Sequence, residues 1–234
     1  MDLVLPLRPG DDNPELRYAL RSWCQHLPHN RLWIVGDLPS WVTGVEYLPG
    51  NRHELGPVNV YNNIRAAVEH PEVSENVCVV NDDMYVTGPI NTIPSWYRST
   101  LAEHINLPGV QAQLRNGVRG SWWPRSLHTT LITLQAHGYA DPISWELHIP
   151  FPCSKTMMAQ VLARFGHVAP DNPPQWRSLY GNMTGLAGEP HPDDCKAWEA
   201  GELGSPFHST DDGSFRHYYS GLDAMFPTKC KYER

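Results

Sequence analysis

Basic residues are in deficit in this sequence. Lys and Arg number 18 against 25 Asp and Glu, a formal net charge of −7, the wrong sign for a general phosphate-binding surface, which excludes a nucleic-acid binder of that kind. No apolar run approaches the roughly 20 residues that cross a bilayer. The amino terminus, Met1-Asp2-Leu3-Val4-Leu5-Pro6, lacks a basic region and a long apolar stretch, so it reads as a first strand and not as a signal peptide. The cysteines, Cys24, Cys78, Cys153, Cys195 and Cys230, are odd in number and form no CxxC pair. A disulfide framework and a cysteine-rich zinc site are therefore disfavoured, and reduced thiols fit a cytoplasmic location. His191, Asp193 and Cys195 alternate, but no fourth ligand has zinc-site spacing. The glycine loops GxGxxG and GxxxxGKS/T are missing, as are GxSxG and HExxH. Neither an internal repeat nor a low-complexity linker is present.

What the chain does have is a hydrophobic share of 41% with only 18% charged residues, enough for a packed core. Its 22 prolines imply many fixed turns, and its 9 tryptophans and 10 tyrosines imply stacking surfaces as well as core. Leu3–Leu7 is a short apolar run ended by the turn cluster Arg8-Pro9-Gly10-Asp11-Asp12. Asn13-Pro14-Glu15 marks a helix start, with Asn as cap and Pro in the first position. Leu16, Ala19, Leu20 and Trp23 supply the helix's apolar face. Arg31–Gly36 is a second strand ending at Asp37, and Val45–Leu48 a third. A second helix is expected over Asn59–His70, and Asn76–Val80 is a buried strand. Strand and helix alternating over short connections predict an α/β fold with a Rossmann-like, mostly parallel sheet and helices on both faces. Ligands then sit at the carboxyl ends of the strands.

After Pro94 the pattern changes to ordered loops with short helices, through Trp122-Trp123-Pro124 and the proline-rich Ile149–Pro152. Ser154–Phe165 reads as an amphipathic helix capped by Ser154. Residues 166–194 are rich in Pro, Gly and Asn. The expected organisation is an αβα half over 1–94 and a loop-rich half over 95–234, packed as one domain.

The strongest chemical signal is Val77-Cys78-Val79-Val80-Asn81-Asp82-Asp83-Met84. An apolar strand delivers adjacent carboxylates to its carboxyl end. Side by side they repel, which makes sense if a cation neutralises them, and oxygen ligands suit Mg²⁺ or Mn²⁺ bridging to phosphate. A solvated turn explains the same residues, because Asn and Asp favour turns. In Trp145-Glu146-Leu147-His148-Ile149-Pro150-Phe151-Pro152, an extended backbone puts Glu146 and His148 on one side with Leu147 toward the core. The alternative there is a salt-bridged Glu and a hydrogen-bonded His. Trp176-Arg177-Ser178-Leu179-Tyr180-Gly181-Asn182 offers a guanidinium, a phenol and an amide in a loop, or else a surface Arg beside a packed Trp. In Phe207–His217 the acids Asp211 and Asp212 could supply a late metal ligand or base, but Ser209-Thr210-Asp211-Asp212-Gly213 is also a plain turn sequence, and the turn is the preferred reading.

An acidic motif after a buried strand, about eighty residues into an αβα chain, resembles the DxD-type motif of nucleotide-sugar-dependent glycosyltransferases of the GT-A fold. Three segments also resemble Stealth-type capsular polysaccharide phosphotransferases and small glycosyltransferase-like relatives from actinobacterial phages. They are Glu15-Leu16-Arg17-Tyr18-Ala19-Leu20-Arg21-Ser22, Asn81-Asp82-Asp83 and Leu147-His148-Ile149-Pro150. The Stealth Trp-Val-Asp-Gly segment after the first strand is replaced by Pro6–Asp12, which favours glycosyl transfer over phosphotransfer.

The resemblance implies a divalent ion, Mn²⁺ or Mg²⁺, on Asp83, with Asp82 and His148 as further ligands and Asn81 or Asp82 on sugar and ribose hydroxyls. It places Arg8 and Asp37 on the nucleotide, with a turn role open for Asp37 and pairing with Asp11 or Asp12 open for Arg8. Asn62, Asn63 and Arg65, at the start of their helix, would face the donor, Asn62 otherwise being a cap. Arg177 and Tyr180 would close over the diphosphate and sugar, and Trp122 and Trp123 would stack on rings. Glu146 is the expected general base. The implied partners are a nucleotide-sugar donor and a glycan or protein acceptor, with no nucleic acid and no membrane span; a phage origin would mean the host cytoplasm. Sugar-1-phosphate transfer and non-catalytic carbohydrate binding are the rival readings.

Overall fold

The structure, a computed structural model, describes all residues except 11, 51, 52, 54, 116–121 and 167. The first half runs β1 (Asp2–Leu7), α1 (Pro14–His26), β2 (Leu32–Gly36), β3 (Glu46–Pro49), α2 (Gly56–Glu69), β4 (Asn76–Val79) and β5 (Met84–Val86). There follow β6 (Trp96–Tyr97), β7 (Ser99–Thr100), α3 (Leu101–Ile105), α4 (Pro108–Arg115), α5 (Trp122–Ala136) and β8 (Ile143–Ser144). The chain ends with β9 (Phe151–Ser154), α6 (Lys155–Phe165), α7 (Trp176–Thr184), β10 (Glu189–Pro190), β11 (Phe207–Ser209) and α8 (Phe215–Met225).

The central sheet has five strands in the order β3-β2-β1-β4-β9. β3, β2, β1 and β4 are parallel, and β9 closes the edge antiparallel to β4. Strand alternation explains why both faces are covered. Leu3, Leu5, Leu7, Ile34, Cys78 and Val80 face α1 and α8, packing on Leu16, Leu20, Trp23 and Leu222. Val4, Trp33, Val35, Val77 and Val79 face the other way, onto α2, α6 and α7 through Tyr61, Ile64, Met158, Leu162 and Trp176. A third cluster joins α3, α4 and α5 to α6 and α7 through Leu101, Leu127, Val161, Phe165 and Leu179. No helix among the described residues is long and apolar enough to cross a membrane.

Local signals set several boundaries as expected. Asn13 caps α1, its Oδ1 accepting from Leu16 N at 3.0 Å, with Pro14 in the first turn. Ser154 caps α6, its Oγ accepting from Met157 N at 3.1 Å. Other expectations needed correction. α2 starts at Gly56, because Pro57 opens it, so Asn62 and Arg65 lie well inside the helix. Trp122-Trp123-Pro124 is the first turn of the 15-residue α5, where proline lacks an N–H that the first turn does not use. The expected loop at Trp176–Asn182 is helix α7, and the tail carries α8. A tight turn, with Leu147 N donating to Trp145 O at 3.0 Å, interrupts the extended reading of 145–152, and only Phe151–Ser154 forms a strand.

Two glycines are required by close approaches. Gly36, with φ +132°, ends β2 where a Cβ would run into the Leu7 carbonyl. Gly181 lets α7 close on the indole of Trp145, whose ring occupies the space a Cβ would need. Gly181→Ala is therefore expected to lower stability by about 1–3 kcal/mol, read as a shift in the urea unfolding midpoint; an unchanged midpoint would show that α7 is free to move off Trp145.

Candidate functional site

The parallel strands end along one wall of a cleft of about 870 Å³. Arg8 follows β1, Asp37 follows β2, Gly50 follows β3, and Asn81, Asp82 and Asp83 follow β4, and all of them line it. Strand order reverses beside β1, with β2 and β3 on one side and β4 on the other. Parallel α/β sheets bind ligands at such a switch point. The second half completes the lining with Trp122, Trp123, Glu146, His148, Arg177 and Lys196.

The acidic turn is tied down from several directions. Asn81 O accepts from Met84 N at 3.2 Å, closing the turn. Asn13, the cap of α1, also donates from Nδ2 to Asp82 Oδ2 at 2.6 Å. Lys196 Nζ lies 2.9 Å from Asp83 Oδ2, and Asp83 Oδ1 is buried with no hydrogen-bond partner. Burial, then the charge of Asp83, pushes the Asp82 carboxyl above the usual carboxylate range.

Glu15 is 3% exposed on the same wall. Thr210 Oγ1 donates to its Oε1 at 2.8 Å, and Arg8 Nη2 stands 3.6 Å from its Oε2. Burial, with the charges of Asp83, Asp82 and Asp212 outweighing the Thr210 hydrogen bond, raises its pKa to about 7. Arg8 does not take up with Asp12; it forms a two-pronged pair with Asp212, donating from Nη1 to Oδ2 at 3.0 Å and from Nη2 to Oδ1. Asp11 lies outside the described residues. Asp212 stands in the expected turn, where Asp211 Oδ1 accepts from Ser214 N at 2.7 Å, and both aspartates reach the cleft.

Across the cleft, Glu146 and His148 are both in the wall, each with a partner. Glu146 Oε1 accepts from Ser178 N at 3.1 Å and Ser178 Oγ at 2.8 Å, and Oε2 lies 3.9 Å from Arg177 Nη1. Burial raises the Glu146 pKa and lowers that of Arg177. Arg177 is 7% exposed, and its Nε and Nη2 have no hydrogen-bond partner. His148 Nδ1 meets Asp194 Oδ2 at 2.7 Å, and its backbone N donates to Asp194 Oδ1 at 2.9 Å. Burial works against the Asp194 carboxylate, yet the charge and hydrogen bonds of His148 hold its pKa well below the ordinary value.

The structure thus brings Arg8, Asp37, Asn81, Asp82, Asp83, Glu146, His148 and Arg177 to one cleft. Three expected residues are elsewhere. Asn62 is half-buried away from the cleft, while its neighbour Asn63 lines it. Arg65 is exposed and pairs with Glu69 at 3.5 Å, since its helical position turns it from the wall. Tyr180 is buried against Phe151, its hydroxyl accepting from Ser154 N at 2.9 Å, because α7 is a packed helix and not a covering loop. His191 stacks on Trp96. Sequence reasoning missed Glu15 as a site residue, and Asp194 and Lys196 altogether. Only the resemblance segment beginning at Glu15 held a signal.

Among the described residues, no three His, Cys, Asp or Glu side chains form a cluster that holds a metal ion by itself. A smaller set suffices where substrate phosphates complete the coordination, since Mg²⁺-like ions are held by one or two carboxylates plus phosphate. Asp83 and Asp82 fit that description: their donors are oxygens, one of them buried and unpartnered, and they repel each other.

No protein-family model matches the sequence. No curated protein matches it either. Solved structures similar to this chain include the galactosyltransferase LgtC in complex with donor and acceptor sugar analogs, with a TM-score of 0.46 and 10% identity over 78% of this chain and 70% of that one. An active-site mutant of LgtC gives a TM-score of 0.41 and 11% identity over the same shares, 78% and 70%.

The raised pKa of Glu15 has a signed consequence. A carboxyl whose folded pKa lies above its unfolded value of 4.5 stabilises the fold below that value, and the contribution is lost as pH rises through about 7. Glu15→Gln should therefore gain on the wild type between about pH 5 and pH 8 in urea midpoints. Parallel pH profiles for the two proteins would show that Glu15 titrates normally.

Proposed function

We propose that this chain is a nucleotide-sugar-dependent glycosyltransferase of the GT-A type, with the donor diphosphate at the Asp82-Asp83 turn. The observation that carries the reading is the acid pair at the switch point of a parallel sheet, where Asp82 and Asp83 line a large cleft and Asp83 Oδ1 is buried and unpartnered. Carboxylates so placed repel an anionic donor unless positive charge accompanies it. A divalent ion held by Asp83 and Asp82 would supply that charge at the leaving diphosphate.

The remaining roles belong to the chain's own groups. Arg8, 3.8 Å from Asp82, and Lys196, 2.9 Å from Asp83, bring positive charge to the phosphate oxygens. His148, its ring fixed through Nδ1 by Asp194, presents Nε2 as the general base for an acceptor hydroxyl, an arrangement in which the carboxylate orients the imidazole. In this reading Glu146, with Oε1 held by Ser178 and Oε2 facing Arg177 at 3.9 Å, positions Arg177, and His148 takes the base role expected of Glu146. Trp122 and Trp123 line the same cleft and are the residues that would stack on sugar.

One observation favours a second reading, transfer of sugar-1-phosphate with attack at phosphorus. The buried guanidinium of Arg177 has two N–H groups without partners, and with Arg8 and Lys196 it makes a cationic set suited to a transferring phosphoryl group. The released nucleotide separates the two: a nucleoside diphosphate for glycosyl transfer, a monophosphate for phosphotransfer.

A panel of nucleotide sugars screened by thermal shift should give stabilisation that needs donor and Mn²⁺ together. Asp83→Asn should abolish that shift and lower turnover by at least about 100-fold. Full turnover in Asp83→Asn would refute the assignment of the acid pair, and saturable donor binding without any product would leave a non-catalytic carbohydrate binder.

A further inference from the structure

Lys196 lies outside everything the sequence pointed to, yet its ammonium sits on the central carboxylate of the cleft. Its side chain is 10% exposed and that of Asp83 14%, so the pair is nearly withdrawn from water. The stretch that delivers it is well anchored. Lys196 bridges to Ser209, the flanking Ala197 N donates to Ser209 O at 2.8 Å, and the ammonium lies 5.4 Å from the ring centroid of Trp198. Two positions upstream, Asp194 holds the ring of His148. One short segment thus controls both the acid pair and the imidazole.

We propose that Lys196 is a resident counter-ion: it withholds Asp83 from a free divalent ion and releases it only when a diphosphate arrives, so that ion and nucleotide enter together. The inference rests on the reading of the cleft as a nucleotide-sugar site and adds an order of binding to it. An ammonium has three donors and no acceptor, so it and a divalent ion compete for the same carboxylate and repel each other at that range. Asp82, Asp83, Glu15 and Asp212 share this corner with Arg8 and Lys196, so a divalent ion on Asp83 has to push the ammonium off the carboxylate that it neutralises. A bound diphosphate changes that, because its oxygens accept from the ammonium at the end of a flexible four-carbon stem. By linkage, the diphosphate then strengthens ion binding by the factor with which the ion strengthens diphosphate binding.

The test is calorimetric and does not need turnover. Mn²⁺ alone, UDP or GDP alone, and the two together are titrated into the donor-free wild type, Lys196→Met, Lys196→Arg and, as a site control, Asp83→Asn. Lys196→Gln replaces the Met variant should that fail to melt cooperatively. The expectation is that Lys196→Met binds Mn²⁺ alone at least roughly tenfold more tightly than the wild type does. Lys196→Arg should resemble the wild type, and the coupling between Mn²⁺ and nucleotide should shrink in Lys196→Met. Equal Mn²⁺ affinity in donor-free wild type and Lys196→Met would overturn the inference while leaving the donor site intact. If Mn²⁺ and nucleotide together fail to bind any of these proteins, the site reading fails as well, and the inference with it.

Discussion

The crowding of like charge at the carboxyl end of β4 is the constraint around which the rest of the cleft is arranged. Asp82 and Asp83 are adjacent in sequence and mostly buried, and Glu15 reaches the same corner from α1. Carboxylates in such surroundings lose hydration and repel one another, which is why Asp82 and Glu15 hold protons more tightly than free carboxyls. The fold answers with Asn13, which caps a helix and donates to Asp82, and with Arg8 and Lys196, which bring charge from opposite ends of the chain. One oxygen of Asp83 still has no partner. The four carboxylates of this corner, Glu15, Asp82, Asp83 and Asp212, still outnumber its two cations.

The second wall follows a different logic. Glu146 and Arg177 form a loosely spaced buried pair, and Ser178 supplies the hydrogen bonds that the carboxylate would otherwise lack. The guanidinium keeps its Nε and Nη2 nitrogens without hydrogen-bond partners, a cost for a buried group. His148 is treated more fully, since Asp194 grips both its ring and its backbone. Such a ring is held in one direction, unlike a freely rotating imidazole.

Much of the first half was legible because its signals are local. Asn13-Pro14 announces α1, short unbroken apolar runs announce β1, β2 and β4, and the acidic turn follows directly from where β4 must end. The second half was legible in part. Ser154 marked α6, but α5, α7 and α8 went unrecognised, because a Trp-Trp-Pro opening and a helix of mixed polar and aromatic residues look like loop until packing is known. Tyr180 shows the cost of that error: as part of a loop it was a ligand candidate, and as part of α7 it is core beside Phe151.

The sequence by itself determined the parallel half-sheet, its two covered faces and the position of Asp82 and Asp83 at a strand end, because periodicity and capping act over a few residues. Only the tertiary structure decided which charges meet there. Arg8 pairs with Asp212 at a separation of 204 positions, and Lys196 reaches Asp83 across 113. Contacts of that span leave no periodic trace in a chain; they depend on how β11 pairs with β5 and carries the segment around it back to the acidic turn.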